Sequence, residues 1–451
     1  MKKIHLISLG CPKNFVDSEV MLGFLQQDGW TVENEITESD VLLVNTCGFI
    51  QPAVEEAIEE ILELVALKER HPPKLLVVTG CLVQRYQEKL MEELPEVDLF
   101  VGTEGVPAIA RLIDDRLTGK IQRSIHILPP FLMDSTMPRQ LATPFFRSLL
   151  KITEGCNNHC AYCKIPSIRG ELRSRSIPDL VRETISLEAI GVKELTLIAQ
   201  DLTAFGAESG EKNGLLELLT ALVDKSSIPW IRLMYLYPTG ISDALLHLMA
   251  ANPRIVPYLD IPFQHVSDII LKRMNRRYRR DDLYRLIERV RRILPDIALR
   301  TTFLLGFPGE TEKDILMLED FLQDVKIDHV GVFAYANEEG CPAEFFPDQC
   351  PEEEKSDRVE HILSLQAGIS QKILKKYIGR LEPVLVEGLS KETDLLLEGR
   401  TRFQAPDIDG QVYINDGQAN PGDIVYVRVE NAQVYDLVGG IETTEEGRLA
   451  P

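Results

Sequence analysis

Apolar runs and amphipathic stretches take turns over roughly the first 115 residues. IHLISL (4–9) is followed by DSEVMLGFLQQDG, in which Val20, Met21, Phe24 and Leu25 fall on one helical face. VLLVN (41–45) is followed by AVEEAIEEILELVALKER, KLLVV (74–78) by QRYQEKLMEEL, and VDLFVG (97–102) is a fourth run. Strand then helix, repeated, predicts a parallel sheet with helices on its faces. Residues 120–147 break the pattern with Pro129, Pro130, Pro138 and Pro144 and read as a linker. From Arg147 to about Val332 the alternation resumes, with SLLKIT, ELTLIAQ, IRLMYL, YLDIPF, ALRTTFLLGF and HVGVFAY as strands. Six β/α units in succession predict a barrel or partial barrel with its chemistry at the carboxyl ends of the strands. Residues 350–378 read as one long charged helix, and about five short runs beyond Gly379, with turns at PDIDG and NPGD, predict a small β-barrel. The segments expected are an N-terminal α/β domain (1–118), a linker (119–141), a partial (β/α) barrel with a closing helix (142–376) and a β-barrel (377–446).

Length agrees with that division, since 451 residues suffice for about three domains. No apolar run approaches the roughly 20 residues of a membrane helix, and MKKIHLISLG has no cleavage signature. A soluble, cytoplasmic protein is expected, without membrane contact. The formal net charge is −21, which argues against a protein that coats nucleic acid. Both ends are acidic: 13 Lys/Arg against 22 Asp/Glu in residues 1–140, and 6 against 14 in residues 380–451. Such ends either keep the chain soluble or attract a basic partner. One stretch runs the other way, LKRMNRRYRRDDLYRLIERVRR (271–292), with ten basic and three acidic residues; it reads as a solvated helix face or an RNA contact.

Three of the strand-like runs end in a cysteine: Cys11, Cys47 and Cys81. Parallel strands present their carboxyl ends on one edge, so the fold can gather these residues although 36 and 34 positions separate them. Either they are small residues filling buried space, or three thiols converge on a metal or cluster. A second set is closer in sequence. EGCNNHCAYCKIP holds Cys156, Cys160 and Cys163 in a CxxxCxxC spacing just after SLLKIT, the environment of a soft metal or an iron–sulfur cluster. Zinc would need a fourth ligand, and His159, between two of the cysteines, is awkwardly placed to be one.

CxxxCxxC with Tyr162, following the first strand of a β/α barrel, resembles the radical S-adenosylmethionine (SAM) enzymes, and LLGFPGET (304–311) resembles the later strand-turn that helps hold SAM. Preceded by LGCPKNFVDSE, VNTCGFI and VTGC and followed by a β-barrel, the whole chain resembles the radical SAM methylthiotransferases. The resemblance implies an N-terminal methylthiotransferase domain, a radical SAM core and a C-terminal TRAM barrel. It implies two 4Fe-4S clusters, one on Cys11, Cys47 and Cys81 and one, binding SAM, on Cys156, Cys160 and Cys163. Tyr162, Gly306 and Gly309 are the implied SAM contacts. In this family one SAM methylates a sulfur on the N-terminal cluster and another gives the 5′-deoxyadenosyl radical that takes hydrogen from the substrate.

Two branches divide the family, one modifying adenosine in transfer RNA and one the β-carbon of an aspartate in the small-subunit ribosomal protein S-twelve. SLGCPKNFVDSE, NTCGFI, YLDIPFQHVS, QAPDIDGQVYI and VYDLVGG resemble the ribosomal-protein branch. The implied partners are the basic S-twelve protein, free or in the subunit, and an electron donor of the flavodoxin or ferredoxin type, acting on a monomer. Gln200 and Asp201 end a strand where SAM or substrate would lie, His265 is a cavity or packing residue, and Arg169 and Arg175 are candidates to neutralise a carboxylate. Cys341 and Cys350 fall outside these motifs.

Overall fold

The computed structural model describes residues 2–70 and 75–442. Lys74 of the third strand-like run, and 443–446 of the segment read as the last barrel, lie outside the described residues. The N-terminal strands are β1 (Lys2–Ser8), β2 (Trp30–Val32), β3 (Val41–Thr46), β4 (Leu75–Gly80), β5 (Leu99–Val101) and β6 (Ser124–His126). They form one parallel sheet in the order β2-β1-β3-β4-β5-β6. β3 and β4 are buried along their whole length, which is why they read as unbroken apolar runs. Val41 and Leu43 of β3 join the core under helix α1 (Pro12–Gln27), with Val16, Val20, Met21 and Leu25. Leu42 and Val44 face the opposite way, toward Val54, Ala57, Ile61 and Leu64 of α2 (Gln51–Arg70). β2 and β6 are absent from the sequence reading because three residues carry no usable periodicity. β6 lies within the stretch read as linker and completes the sheet edge by pairing with β5.

The middle of the chain opens with β7 (Arg147–Lys151) and a short antiparallel pair, β8 (Thr153–Glu154) with β9 (Arg173–Ser174). The other strands are β10 (Glu194–Ile198), β11 (Trp230–Leu233), β12 (Ile255–Asp260), β13 (Ala298–Leu305) and β14 (His329–Ala334). With β7 they make a parallel sheet in the order β14-β13-β12-β11-β10-β7. Since β14 and β7 do not pair, the barrel is partial, as the six β/α units predict. The 23-residue helix Glu352–Leu374 leads to the last five strands, β15 (Leu381–Leu389), β16 (Leu397–Thr401), β17 (Val412–Asp416), β18 (Ile424–Ala432) and β19 (Leu437–Ile441). They close into a barrel filled by Val384, Val386, Val412, Val425, Val427 and Leu437.

Buried ion pairs fix the three units to one another. Arg139 of the connecting segment joins Glu19 of α1 to Glu183 at 2.6 Å each. Glu338, in the loop after β14, pairs with Arg85 at 2.8 Å and accepts from the Gln51 backbone N–H at the start of α2. Glu194 of β10 pairs with Arg232 of β11 and Arg400 of β16 at 2.6 Å each, locking the small barrel to the sheet. Among the described residues no helix is long and apolar enough to cross a membrane.

Candidate active site

β1, β3 and β4 are adjacent and parallel, so the segments that leave their carboxyl ends lie side by side. Cys11 caps the N-terminus of α1, Cys47 follows β3 directly, and Cys81 begins the helix Cys81–Glu93 straight after β4. Two glycines let these loops close up. A Cβ on Gly10, whose φ is +89°, would stand 2.6 Å from the Cys47 Cβ, and one on Gly48 would stand 2.8 Å from the Cys81 carbonyl carbon. Gly48→Ala is therefore expected to spread the Cys47 and Cys81 loops and cut the iron that the reconstituted protein holds by up to about half, read by iron assay.

The CxxxCxxC loop follows β8 and meets the N-terminal triad across one cavity. All six cysteines border this space of about 330 Å³. Cys11, Cys47 and Cys81 thus converge, as their strand-end positions predict. Burial pushes the Cys47 thiol up and the Cys81 thiol up to about 12, and in both cases the neighbouring thiols of the triad add to the rise. Burial likewise raises Cys156 and Cys163, with Cys160 adding to both. Unliganded, these four are protonated thiols, so loading a metal site here releases protons. Backbone N–H groups donate toward three of the sulfurs: Gly48 and Phe49 to Cys47, Asn158 to Cys156 and Ile165 to Cys163.

This donor set fits iron–sulfur clusters. It supplies two groups of three thiols, with N–H groups turned to the sulfurs and a shared space between them. His159 does not complete a zinc site, since it is exposed and does not border the cavity. Among the described residues no group of three or more His, Cys, Asp or Glu is arranged to hold a single metal ion.

Arginines reach one sulfur in each triad. Arg169 Nη2 stands 3.3 Å from Cys81 Sγ, and Arg276 Nη1 stands 3.5 Å from Cys160 Sγ. Arg169 is also bonded to Asp17 at 2.7 Å and to Glu154 at 3.3 Å, while Lys151 holds both of those carboxylates. This buried quartet joins α1 to the barrel directly beneath the cavity. Burial alone would push the Glu154 carboxyl up, but Lys151 and Arg169 outweigh it and hold it at about 2. Arg276 comes from the basic run 271–292, whose later residues form the helix Arg280–Ile293; it is turned inward, onto Tyr278 and the Pro262 carbonyl.

Of the residues singled out from the sequence, Tyr162, Gln200, Asp201 and Arg169 border the cavity, and Asp201 accepts from Asn158 Nδ2 at 2.7 Å. Gly306 and Gly309 do not border it; they sit on the turn after β13 with positive φ, facing Lys355 and Arg273. Arg175 is buried away from the cavity against Asp179 and Glu183. His265 is a packing residue, wholly buried and 3.1 Å from Glu310. The sequence reading missed Lys13, Asn158, Tyr235, Tyr237, Gln264 and Arg276, all on the cavity wall. Lys13 and Asn158, each two positions from a cysteine in LGCPKN and EGCNNHC, carried a local signal, and Gln264 and Arg276 lie within the quoted stretches YLDIPFQHVS and 271–292; Tyr235 and Tyr237 carried none.

Three family descriptions match successive parts of the chain: uncharacterized protein family UPF0004 over residues 3–102, the radical SAM superfamily over 150–322 and the TRAM domain over 378–441. A curated relative from Desulfotalea psychrophila, ribosomal protein uS12 methylthiotransferase RimO, is 58% identical over 98% of this chain and 100% of its own. One of the same name from Syntrophotalea carbinolica is 49% identical over 98% of this chain and 97% of its own. The chain belongs to the RimO family.

Solved structures agree on the fold. The radical SAM methyltransferase TsrM from Kitasatospora setae, solved with cobalamin and a 4Fe-4S cluster, superposes with a TM-score of 0.58 at 15% identity, over 85% of this chain and 77% of that one. The expected α/β sheet, radical SAM core and TRAM barrel of the RimO fold are thus all present. The transfer RNA branch is not the one these relatives name.

Proposed function

We propose that this chain is a methylthiotransferase that replaces one hydrogen on the β-carbon of an aspartate in ribosomal protein uS12 with CH3S, using two 4Fe-4S clusters and SAM. The observation that carries this reading is the single cavity bordered by both thiol triads, in a chain of the RimO family. Cys11, Cys47 and Cys81 would hold one cluster, and Cys156, Cys160 and Cys163 the other, with SAM beside Tyr162. Bound there, the clusters and SAM supply what no side chain can: removal of an unactivated hydrogen as an atom, and a sulfur to take its place.

The chain's own residues bind, orient and shield. Each triad of cysteines would hold a cluster through three thiolates and would leave room for a small molecule beside it. Arg169 and Arg276 donate toward Cys81 and Cys160, and hydrogen bonds to cluster sulfurs tune the reduction potential. Tyr162, Tyr235 and Tyr237 wall the space and exclude water. The acidic barrel segment, with 6 basic against 14 acidic residues, suits a basic protein better than a phosphate backbone. The remaining parts of the reading are a one-electron donor of the flavodoxin or ferredoxin type, a monomeric enzyme and a cytoplasmic location.

Anaerobically reconstituted enzyme, reductant and SAM, incubated with uS12 and separately with hypomodified transfer RNA, are expected to add one CH3S in place of H to an aspartate of the protein, read by mass spectrometry. Modified nucleoside with unmodified protein would reject the reading.

A further inference from the structure

We propose that the arginine-rich rim of the partial barrel, residues 272–292, binds the phosphate backbone of the small-subunit RNA around uS12, so that the enzyme engages its substrate within the ribonucleoprotein particle. The inference rests on the substrate reading above and extends it to the form in which uS12 arrives. A chain of formal net charge −21 is repelled by RNA unless a basic surface is turned toward it. A surface of that sign begins at the cavity wall.

Residues 271–292 hold ten cations against three acids, and nine of the ten are arginine, whose planar fork suits phosphate oxygens better than a lysine ammonium does. The start of the run is fixed to the site. The Ala161 N–H donates to the Met274 carbonyl at 3.0 Å and Asn275 Nδ2 donates to the His159 carbonyl at 2.8 Å, both joining it to the CxxxCxxC loop. The Arg277 N–H donates to the Tyr237 hydroxyl at 3.2 Å, and Tyr237 borders the cavity. An RNA strand held on this rim therefore lies beside the space where the aspartate reacts.

The outward cations of the run stand ready for an anion. Lys272, Arg277 and Arg292 are exposed and have no ion pair and no side-chain hydrogen bond among the described residues. Arg285, Arg289 and Arg292 recur at helical spacing on the helix Arg280–Ile293 and border one surface groove of about 460 Å³. Two acids border it too: Asp282, taken up by Arg285 at 2.6 Å and the Arg279 N–H at 2.9 Å, and Glu288. From Arg280 to Arg292 the helix advances about 18 Å, the span of several successive phosphates. Guanidinium groups repeated along one line fit a repeating anion better than the scattered carboxylates of an acidic protein. The two aromatic rings of the run, Tyr278 and Tyr284, pack on Tyr237 and Phe321 and leave nothing for a base to stack on. The contact is therefore to the backbone and carries no sequence preference.

The test uses the full-length, cluster-loaded enzyme under anaerobic conditions. Dissociation constants are measured over a range of salt for small subunits whose uS12 lacks CH3S and for free uS12. The proteins compared are wild type, the triple variant Lys272→Gln, Arg277→Gln, Arg292→Gln, and the charge-keeping triple Lys272→Arg, Arg277→Lys, Arg292→Lys. Wild type is expected to bind subunits more tightly than free uS12, with a steep salt dependence. The Gln variant should lose about 30-fold or more for subunits at about 0.1 M salt and lower the slope of log affinity against log salt by about 2–3. Its affinity for free uS12, its iron content and its SAM cleavage with a chemical reductant should stay at the wild-type level. The charge-keeping variant should retain most of the slope. An unchanged slope in the Gln variant or an equal loss for free uS12 would overturn the proposal. So would a loss confined to reduction by a flavodoxin or ferredoxin, which would make the rim a docking face for an acidic carrier. A wild type that modifies neither subunits nor free uS12 would reject the substrate reading itself and take this inference with it.

Discussion

Replacing Cys156, Cys160 and Cys163 together by Ala is expected to remove about four of about eight irons from reconstituted enzyme and to abolish 5′-deoxyadenosine formation. The two triads share a cavity but no ligand. Cys11, Cys47 and Cys81 stand on the segments that leave the carboxyl ends of β1, β3 and β4 of the N-terminal sheet, while the other three stand on one loop after β8. Each loop is anchored in its own unit, so removing one set leaves the other set's backbone in place. The reciprocal replacement of Cys11, Cys47 and Cys81 should also remove about half the iron, but should preserve SAM cleavage while abolishing product. Iron and sulfide assay with product chromatography reads both. Loss of all iron from either variant would sink the picture of two independent sites.

Glu194→Ala has the largest expected effect on stability, a loss of about 3–5 kcal/mol. Glu194 is fully buried and holds Arg232, also fully buried, and Arg400 of the small barrel. Without it Arg232 keeps only the Arg402 carbonyl and the face of Tyr258, and one of its terminal nitrogens already lacks a partner. The same pair makes an acid prediction. Burial would raise the Glu194 carboxyl, but Arg400 and Arg232 outweigh it and lower it from an ordinary 4.5 to about 2. A carboxyl depressed in the folded state contributes stability that is complete above about pH 4.5 and is lost as the pH falls toward 2, about 3 kcal/mol in all. Glu194→Gln should flatten that acid limb. Denaturant titration and tryptic cleavage between the partial barrel and the small barrel check both; a shift under about 1 kcal/mol would show that other contacts hold the small barrel.

Much of this was legible before any coordinates. The unbroken runs VLLVN and LLVVTG are buried on both faces, and a strand covered by helices on each side can hardly read otherwise. The six strands from SLLKIT to HVGVFAY and the five of the last barrel appear where their patterns place them. β2 and β6 were invisible because three residues cannot show a period, and their pairing depends on an edge already formed by β1 and β5. The cysteines were legible because thiols on strand ends or spaced CxxxCxxC are rare enough to stand out. Arg169 and Arg175 looked equivalent in the sequence, yet only Arg169 borders the cavity.

By itself, the sequence determined the order of elements, the two triads and the family, because apolar period and cysteine spacing are local and survive without coordinates. Only the tertiary structure decided that both triads border one space, that Arg276 turns inward from a basic run, and that Lys13 packs over the face of Tyr235. Those facts depend on which charges already have partners, and partners such as Asp17 and Arg169, or Glu194 and Arg400, lie 152 and 206 residues apart. Pairing across such distances is set by the fold and its low-dielectric interior, where each carboxylate claimed by one cation is withheld from the next.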